Sequence, residues 1–279
     1  MNNILVPVKL SSDFKNHLRY VASVATKSAA KVTFFYAGAK KLPHYGKPTF
    51  QTQEEVELLK QSISSQLIHD AITWISDTFS AKNIDFQFKF ASRNSVSEII
   101  KETNQGNYQM VIMGTHSRSG LFNYFSSHLA SRVIAGVKTP VFVVPSKSSF
   151  NEIENITYAV DLTDYDPEVI QQVKTIASIF DAKLTIAHVN ESEVEKERYV
   201  HSLEQTISDT LDYPKVYYKF FDHADPLRGI IKFVNQNNSQ LVAMINRKKF
   251  SWRSLFRRNS FTLKMTQETS VPILAFSKF

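Results

Sequence analysis

The chain repeats itself, and that repeat constrains its fold more than any composition figure does. Ile4-Leu5-Val6-Pro7-Val8 opens one segment, and Ile156-Thr157-Tyr158-Ala159-Val160 opens another 152 residues later. The offset holds without a gap through a helical pattern and the next strand. It pairs Leu10 with Leu162, Ala25 with Ala177, Ala30 with Ala182, Lys31 with Lys183 and Thr33 with Thr185. Residues 99–113 (IIKETNQGNYQMVIM) then match 230–244 (IIKFVNQNNSQLVAM) at nine of fifteen positions, at an offset of 131. A third block pairs TPVFVV (139–144) with VPILAF (271–276) at an offset of 132. Matched blocks in one order mark a duplicated unit.

The fall in offset makes the second copy shorter between its second and third strands. There the first copy has a loop at 38–52 broken by Pro43, Gly46 and Pro48, followed by a long helix. The copies meet in the polar stretch SKSSFNEIEN (146–155), which sets the expected domains at 1–147 and 153–279.

Periodicity supplies the elements. Ile4–Val8 and Val32–Tyr36 read as buried strands, Ile84–Phe90 as an alternating strand, and Met110–Met113 and Val141–Val144 as further buried strands. Between them, Leu18, Val21, Ala22 and Ala25 recur at helical spacing, with Ser12 or Asp13 as N-cap. Val56, Leu59, Ile63, Leu67, Ala71, Ile75 and Phe79 form a second stripe, and Val96–Thr103 and Leu121–Ala135 are helical in pattern. Alternating strands and helices predict right-handed crossovers onto a parallel sheet. The expected fold class is α/β: two tandem doubly wound domains, each with a five-stranded, mostly parallel sheet of order 3-2-1-4-5.

Composition narrows the function classes. An apolar content of 43% suffices for packed cores, and no segment approaches the ~18 uncharged apolar residues of a membrane span. The N-terminus enters a strand at once and lacks a signal-peptide pattern. Zero cysteines exclude disulfides and thiolate metal sites. A soluble cytoplasmic protein is the expectation. The net charge of +7 suits anionic partners.

In a doubly wound sheet, ligands bind beyond the carboxyl ends of the strands where strand order reverses. With order 3-2-1-4-5, that reversal lies between strands one and four. The relevant loops start at Val8-Lys9-Leu10-Ser11 and at Met113-Gly114, the latter running GTHSRSGLFNYFSSHLASRVI.

With ILVPVKLSSD, MGTHSRSGLFNYFSSHLASRV and the closing TPVFVV, the first copy resembles the universal stress protein family. Members of that family begin with a strand ending Pro-Thr-Asp-Phe-Ser. After strand four they carry a Gly-x-x-Gly-(nine residues)-Gly-Ser/Thr loop. The second copy, with YAVDLTDYD at its start and VPILAF at its end, is similar but more diverged, so the resemblance covers nearly the whole chain as a tandem member. It implies an adenine nucleotide alpha hydrolase-like, Rossmann-like fold and a role as a binding or signalling module in stress adaptation. It also implies that the two closing strands pair, making an intramolecular pseudo-dimer.

In ATP-binding members the glycine loop brings backbone N–H groups and a helix N-terminus to the phosphates. Carried onto this chain, Gly114 keeps the first glycine, Ser117 replaces the second, and Ser127-His128 replaces the Gly-Ser/Thr pair, while Arg118 and Gly120 are retained. A Cβ at Ser117 or Ser127 opposes close backbone contact. Lys9 stands where the family places an acid near the nucleotide's sugar, and it cannot accept a ribose hydroxyl. It reads either as an attractor of a phosphate or other anion, or as a solvated or paired cation. Ala37 marks an adenine-facing position after strand two, beside Phe34, Phe35 and Tyr36, which read as core. The candidate binding set is therefore Val8, Lys9, Ala37, Met113, Gly114, His116, Ser117, Arg118, Gly120, Ser127 and His128, for ATP or a related nucleotide with Mg as its accompanying metal. The second copy keeps an acid at Asp161 but reads INRKKFSWRSLFRRNSF, where Asn246, Lys249 and Asn259 replace the glycines and Ser260 survives. Nucleotide binding is expected in the first copy alone.

Other features carry less. The basic and aromatic segment 247–258 reads as a phosphate lid, a membrane-surface patch or a nucleic-acid contact, but a packed loop with solvated charges is favoured, so neither nucleic acid nor membrane is an expected partner. His116 fits a structural role in its loop. His17, His44, His69, His188, His201 and His223 have no metal-ligand spacing, and no catalytic set stands out. Adjacent Ser127 and His128 point in different directions on a helix start, which does not make a nucleophile and base. Any ATP hydrolysis is expected to be slow. The alternatives are a nucleotide-independent interaction scaffold, and an enzyme using Lys9 on a small anionic substrate.

Overall fold

The computed structural model describes residues 1, 3–8, 14–37, 62, 65, 69, 73, 84–91, 95–115, 124–161, 166–190, 211–247, 265 and 268–278, with the side chains at 14–16, 95, 124–128, 247 and 278 left aside. In chain order the elements are β1 (Asn3–Val8), α1 (Phe14–Ser28), β2 (Lys31–Ala37), β3 (Phe86–Ala91), α2 (Ser95–Gln105), β4 (Met110–Gly114), α3 (Tyr124–Gly136) and β5 (Val141–Val144). They continue as β6 (Asn155–Ala159), α4 (Pro167–Phe180), β7 (Lys183–Asn190), β8 (Val216–Asp222), α5 (Pro226–Gln236), β9 (Leu241–Arg247) and β10 (Ile273–Lys278).

Among the described residues, ten strands join one sheet, ordered β3-β2-β1-β4-β5-β10-β9-β6-β7-β8. From either outer edge inward, the order is 3-2-1-4-5, the doubly wound pattern of the expected fold class. Every pairing is parallel except the central one, where β5 and β10 run antiparallel with Val143 opposite Ile273 and Phe142 opposite Leu274. The duplicated sequence is also a duplicated hydrogen-bond skeleton. Asn3 pairs with Lys31, and Asn155 with Lys183. The Asn3 N–H donates to Gln109 Oε1 at 2.7 Å, and the Asn155 N–H donates to Gln240 Oε1 at 2.8 Å.

The matched alanines close equivalent helix ends. At the end of α1 the Ala30 N–H donates to Ala25 O (3.0 Å), and at the end of α4 the Ala182 N–H donates to Ala177 O (2.9 Å). The turn residues between, Ala29 (φ 51°) and Asp181 (φ 54°), are both left-handed, as such caps require.

Strand alternation sends neighbouring side chains to opposite faces. On the α1 and α4 face, one apolar cluster crosses the seam: Ile4, Val21 and Phe142 pack with Ile156, Ile170 and Leu274. The other face has two clusters, one around Val111, Val133 and Val143 and one around Phe233, Val242 and Ile273. The predicted α1 stripe of Leu18, Val21, Ala22 and Ala25 is buried throughout. Of the predicted stripe from Val56 to Phe79, all seven apolar residues lie outside the described residues. Ser62, Ser65, His69 and Thr73 are helical and exposed, at the spacing of a solvent face.

The polar stretch between the halves is pinned rather than free. Tyr20 of α1 shares a 2.8 Å hydrogen bond with Ser148 and donates to Ser149 O at 2.9 Å, while Phe150 meets its ring edge-on and Ile153 is buried. Burial pushes the Tyr20 phenol above its ordinary range, with the Ser148 hydrogen bond acting against it. Among the described residues, no helix is long and apolar enough to cross a membrane.

Candidate functional site

In the first half, strand order reverses between β1 and β4, so the crevice of interest lies beyond Val8 and Gly114, their last residues. Val8 is buried on the α1 face. Met113 is buried on the opposite face, and Ala37, at the end of β2, packs there half-buried. Gly114 does not have the positive φ at which glycine is needed. Its significance is what packs on it. A Cβ built on Gly114 would have Cγ and Nδ1 of His17 at 3.6 Å and Cβ of His17 at 3.7 Å, all ordinary contact distances. The imidazole of His17, 6% exposed, thus takes the volume that a larger side chain at 114 would need. The next residue, Thr115, donates its N–H to Val144 O (2.8 Å), and its hydroxyl accepts from Ser146 N–H (3.2 Å), anchoring the start of the loop.

Lys9, His116, Ser117, Arg118 and Gly120 lie outside the described residues. So do Ser12, Asp13, the loop 38–52 and segment 248–258. Ser127 and His128 fall within α3, though their side chains are not described. Tyr36 is buried, and burial pushes its phenol up.

The second half differs at the matching places. Sheet register puts Ile245, rather than the expected Asn246, in the position of Gly114: Gly114 pairs with Val144, and Ile245 pairs with Phe276, the repeat counterpart of Val144. Ile245 packs half-buried on a cluster containing Val160, Val169 and Val173. Val169, a member of that cluster, is the repeat counterpart of His17, so both matching positions are aliphatic in the second half. At the end of β6, the Val160 carbonyl lies 2.9 Å from Nδ1 of His188, which must carry the proton to donate there. Asp161 is half-buried beside it. Asn190 donates to Asp222 at 3.1 Å, and Asp225 caps α5 by accepting from the N–H groups of Leu227 and Arg228.

His17 is the neighbour of Gly114 that spacing rules alone pass over. A signal for it exists within the sequence: a histidine replaces a core valine of the repeat. Among the described residues, no three His, Cys, Asp or Glu side chains gather as metal ligands. A cleft of about 410 Å³ opens at the other end of the sheet, where Lys27, Lys183 and Lys215 face Glu152, Glu154 and Asp181. Its charges offset one another, and it is remote from the carboxyl ends where this sheet type binds ligands, so the strand-order crevice is the better candidate.

A family model described as "Universal stress protein family" matches residues 1–145. Among solved structures, a universal stress protein from Archaeoglobus fulgidus DSM 4304 superposes with a TM-score of 0.76 at 16% identity, covering 100% of this chain and 99% of that one. A Pseudomonas aeruginosa PAO1 protein described as functionally unknown gives 0.66 at 12% identity, covering 99% and 92%. The cytoplasmic domain of a prokaryotic cation chloride cotransporter gives 0.55 at 11%, covering 98% and 94%. At these identities the likenesses establish the fold. No curated protein matches the chain.

Proposed function

The chain belongs to the universal stress protein family, and from that premise we propose that it is a tandem cytoplasmic binding or signalling module that holds ATP or a related nucleotide in its first half alone. Family membership makes it a stress-related protein. The contrast at the ends of β4 and β9 carries the rest of the reading. The first half ends β4 with a side-chain-free Gly114, whereas the second has Ile245 packed on an apolar cluster at the matching place. An anionic ligand needs hydrogen-bond donors and approachable backbone there, and hydrocarbon supplies neither. Gly114, Ser117, Ser127 and the N-terminus of α3 would hold the phosphates, with Lys9 as a further cation and Mg accompanying the nucleotide.

Equilibrium binding of labelled ATP tests this reading. Saturable binding is expected, weakened by Gly114→Val, whose γ-carbons drive into His17, and nearly unchanged by Gly114→Ala. Absence of binding at millimolar nucleotide would overturn it and favour a nucleotide-independent interaction scaffold. That scaffold reading draws on the serines at two glycine positions of the loop.

A further inference from the structure

The two outer edges of the sheet carry different side chains at matching places. In the first half Thr33 pairs with Gln87 and Phe35 with Lys89; in the second, Thr185 pairs with Tyr217 and Ala187 with Lys219. On the first edge these side chains are satisfied within the chain: Gln87 donates to Thr33 Oγ1, and Lys89 donates to Glu102 at 2.7 Å. On the second edge Phe233 stands in the place of Glu102, and Lys219 is exposed with no ion pair among the described residues. Tyr217 is 50% exposed, and Lys183 lies over its ring at 4.2 Å. We propose that β8 is a docking edge for an extended acidic segment of a partner protein, which adds to the sheet as a further strand and sets its carboxylates against Lys219 and Lys183.

Three observations support it. β8 pairs with β7 over its whole length, from Val216 opposite Leu184 to Asp222 opposite Asn190, and no described strand lies on its other side. The backbone N–H and C=O groups along the outer side of such a strand are a template for another chain. Second, side chains alternate between the faces of a strand, so Tyr217 and Lys219 share one face, with Lys183 of the neighbouring strand over the tyrosine ring. Third, the charge calls for an acid. Lys89 shows that a lysine at this sheet position pairs with a carboxylate, and the second half has a phenyl ring where that carboxylate would be. An exposed edge lysine also deters a second copy of this chain, whose net charge is +7, while admitting an acidic strand.

The test titrates the full chain against a fluorescent peptide alternating glutamate with valine, beside a control peptide with glutamine in place of glutamate. Saturable binding of the acidic peptide is expected, with hydrogen exchange slowed in residues 216–222. Lys219→Glu is expected to weaken binding about tenfold and Lys219→Ala about threefold. Both variants should melt with the wild type, because the side chain is exposed. Lys89→Gln, on the first edge, should leave binding unchanged. Equal binding of the glutamine peptide, or undiminished binding by Lys219→Glu, would overturn the charge pairing and the proposal with it. Protection gained away from β8, or no binding by the wild type, would overturn the docking edge. Self-association of the wild type that Lys219→Glu alters would assign β8 to a second copy instead. Displacement of the peptide by a single-stranded oligothymidylate that binds more tightly would assign the patch to nucleic acid, and either result overturns the proposal.

Discussion

At the end of β4 the first half has Gly114 with the His17 ring packed on it, and at the end of β9 the second half has Ile245 in a cluster that includes Val169. A second contrast lies on the opposite face. In the first half, Glu102 of α2 accepts from Lys89 (2.7 Å) and from the Tyr108 hydroxyl (2.6 Å). The counterpart of Glu102 is Phe233, which stacks on Phe221 with ring centroids 5.3 Å apart. Strand order and the turns that close α1 and α4 are meanwhile the same in both halves. Duplication has preserved what main-chain hydrogen bonding requires and left side chains free to change wherever another group could fill the volume.

If the halves differ in chemistry but share one core across the seam, the largest effect should come from damage to that shared core. Phe142 is fully buried where β5 meets β10. Phe142→Ala is expected to cost ~3–5 kcal/mol, and hydrogen exchange should report lost protection in β1 and in β6 together. Loss confined to the first half would break the picture of one continuous core.

The next effect separates the two strand ends. Ile245→Ala should lower stability by ~1–3 kcal/mol, since its side chain is half-buried and packed. Gly114→Ala should change it by less than ~0.5 kcal/mol, because the added methyl meets His17 at ordinary distance. Urea midpoints measured side by side check the contrast. Equal costs would mean that the two ends are packed alike.

The polar network of the first half adds a pH signature that Phe233, at the matching position of the second, cannot supply. Burial raises the Glu102 carboxyl, but hydrogen bonds from Lys89 and Tyr108 outweigh it and hold the pKa below the ordinary glutamate value. A carboxylate depressed on folding stabilises the protein above its unfolded pKa, and the contribution fades as pH falls through the folded value. Glu102→Gln is expected to cost ~1 kcal/mol at neutral pH and to flatten the fall in stability with acid. An unchanged acid profile would show the network to be idle.

How much of this was legible in the chain alone follows the same division. The repeat blocks marked two like units, and the observed order is the same in both; the order within a unit follows from the doubly wound pattern and not from the offsets. Ala25, Ala30, Ala177 and Ala182 matched because each pair closes a helix end. Motif spacing points to Asn246 where sheet register has Ile245, one residue earlier, because the loop motif and the strand keep different offsets. A histidine at a core position such as His17 has no motif; it is defined by what packs on it. Lys9 and residues 116–120 lie outside the described residues, and the roles given to them are what the family resemblance implies.

The smallest expected effect concerns the two helix ends, where the halves are most alike. Ala29 and Asp181 both hold the left-handed turn position, exposed, with φ of 51° and 54°. That conformation costs a residue with a Cβ ~1–2 kcal/mol, and glycine removes the strain while losing more chain entropy on folding. Ala29→Gly should therefore stabilise the protein by ~0.5–1 kcal/mol. Asp181→Gly should gain less, for two reasons. Aspartate tolerates the left-handed region better than alanine does. Its carboxylate also pairs with Lys215 at 2.7 Å, a contact the glycine would forfeit. Thermal midpoints of the two single variants and the double variant decide the matter. Additive gains with the larger share at 29 would confirm that the caps act independently. A larger gain at 181 would mean that the Asp181 and Lys215 pair adds nothing to offset the strain, and that the two ends differ in a way their shared geometry conceals.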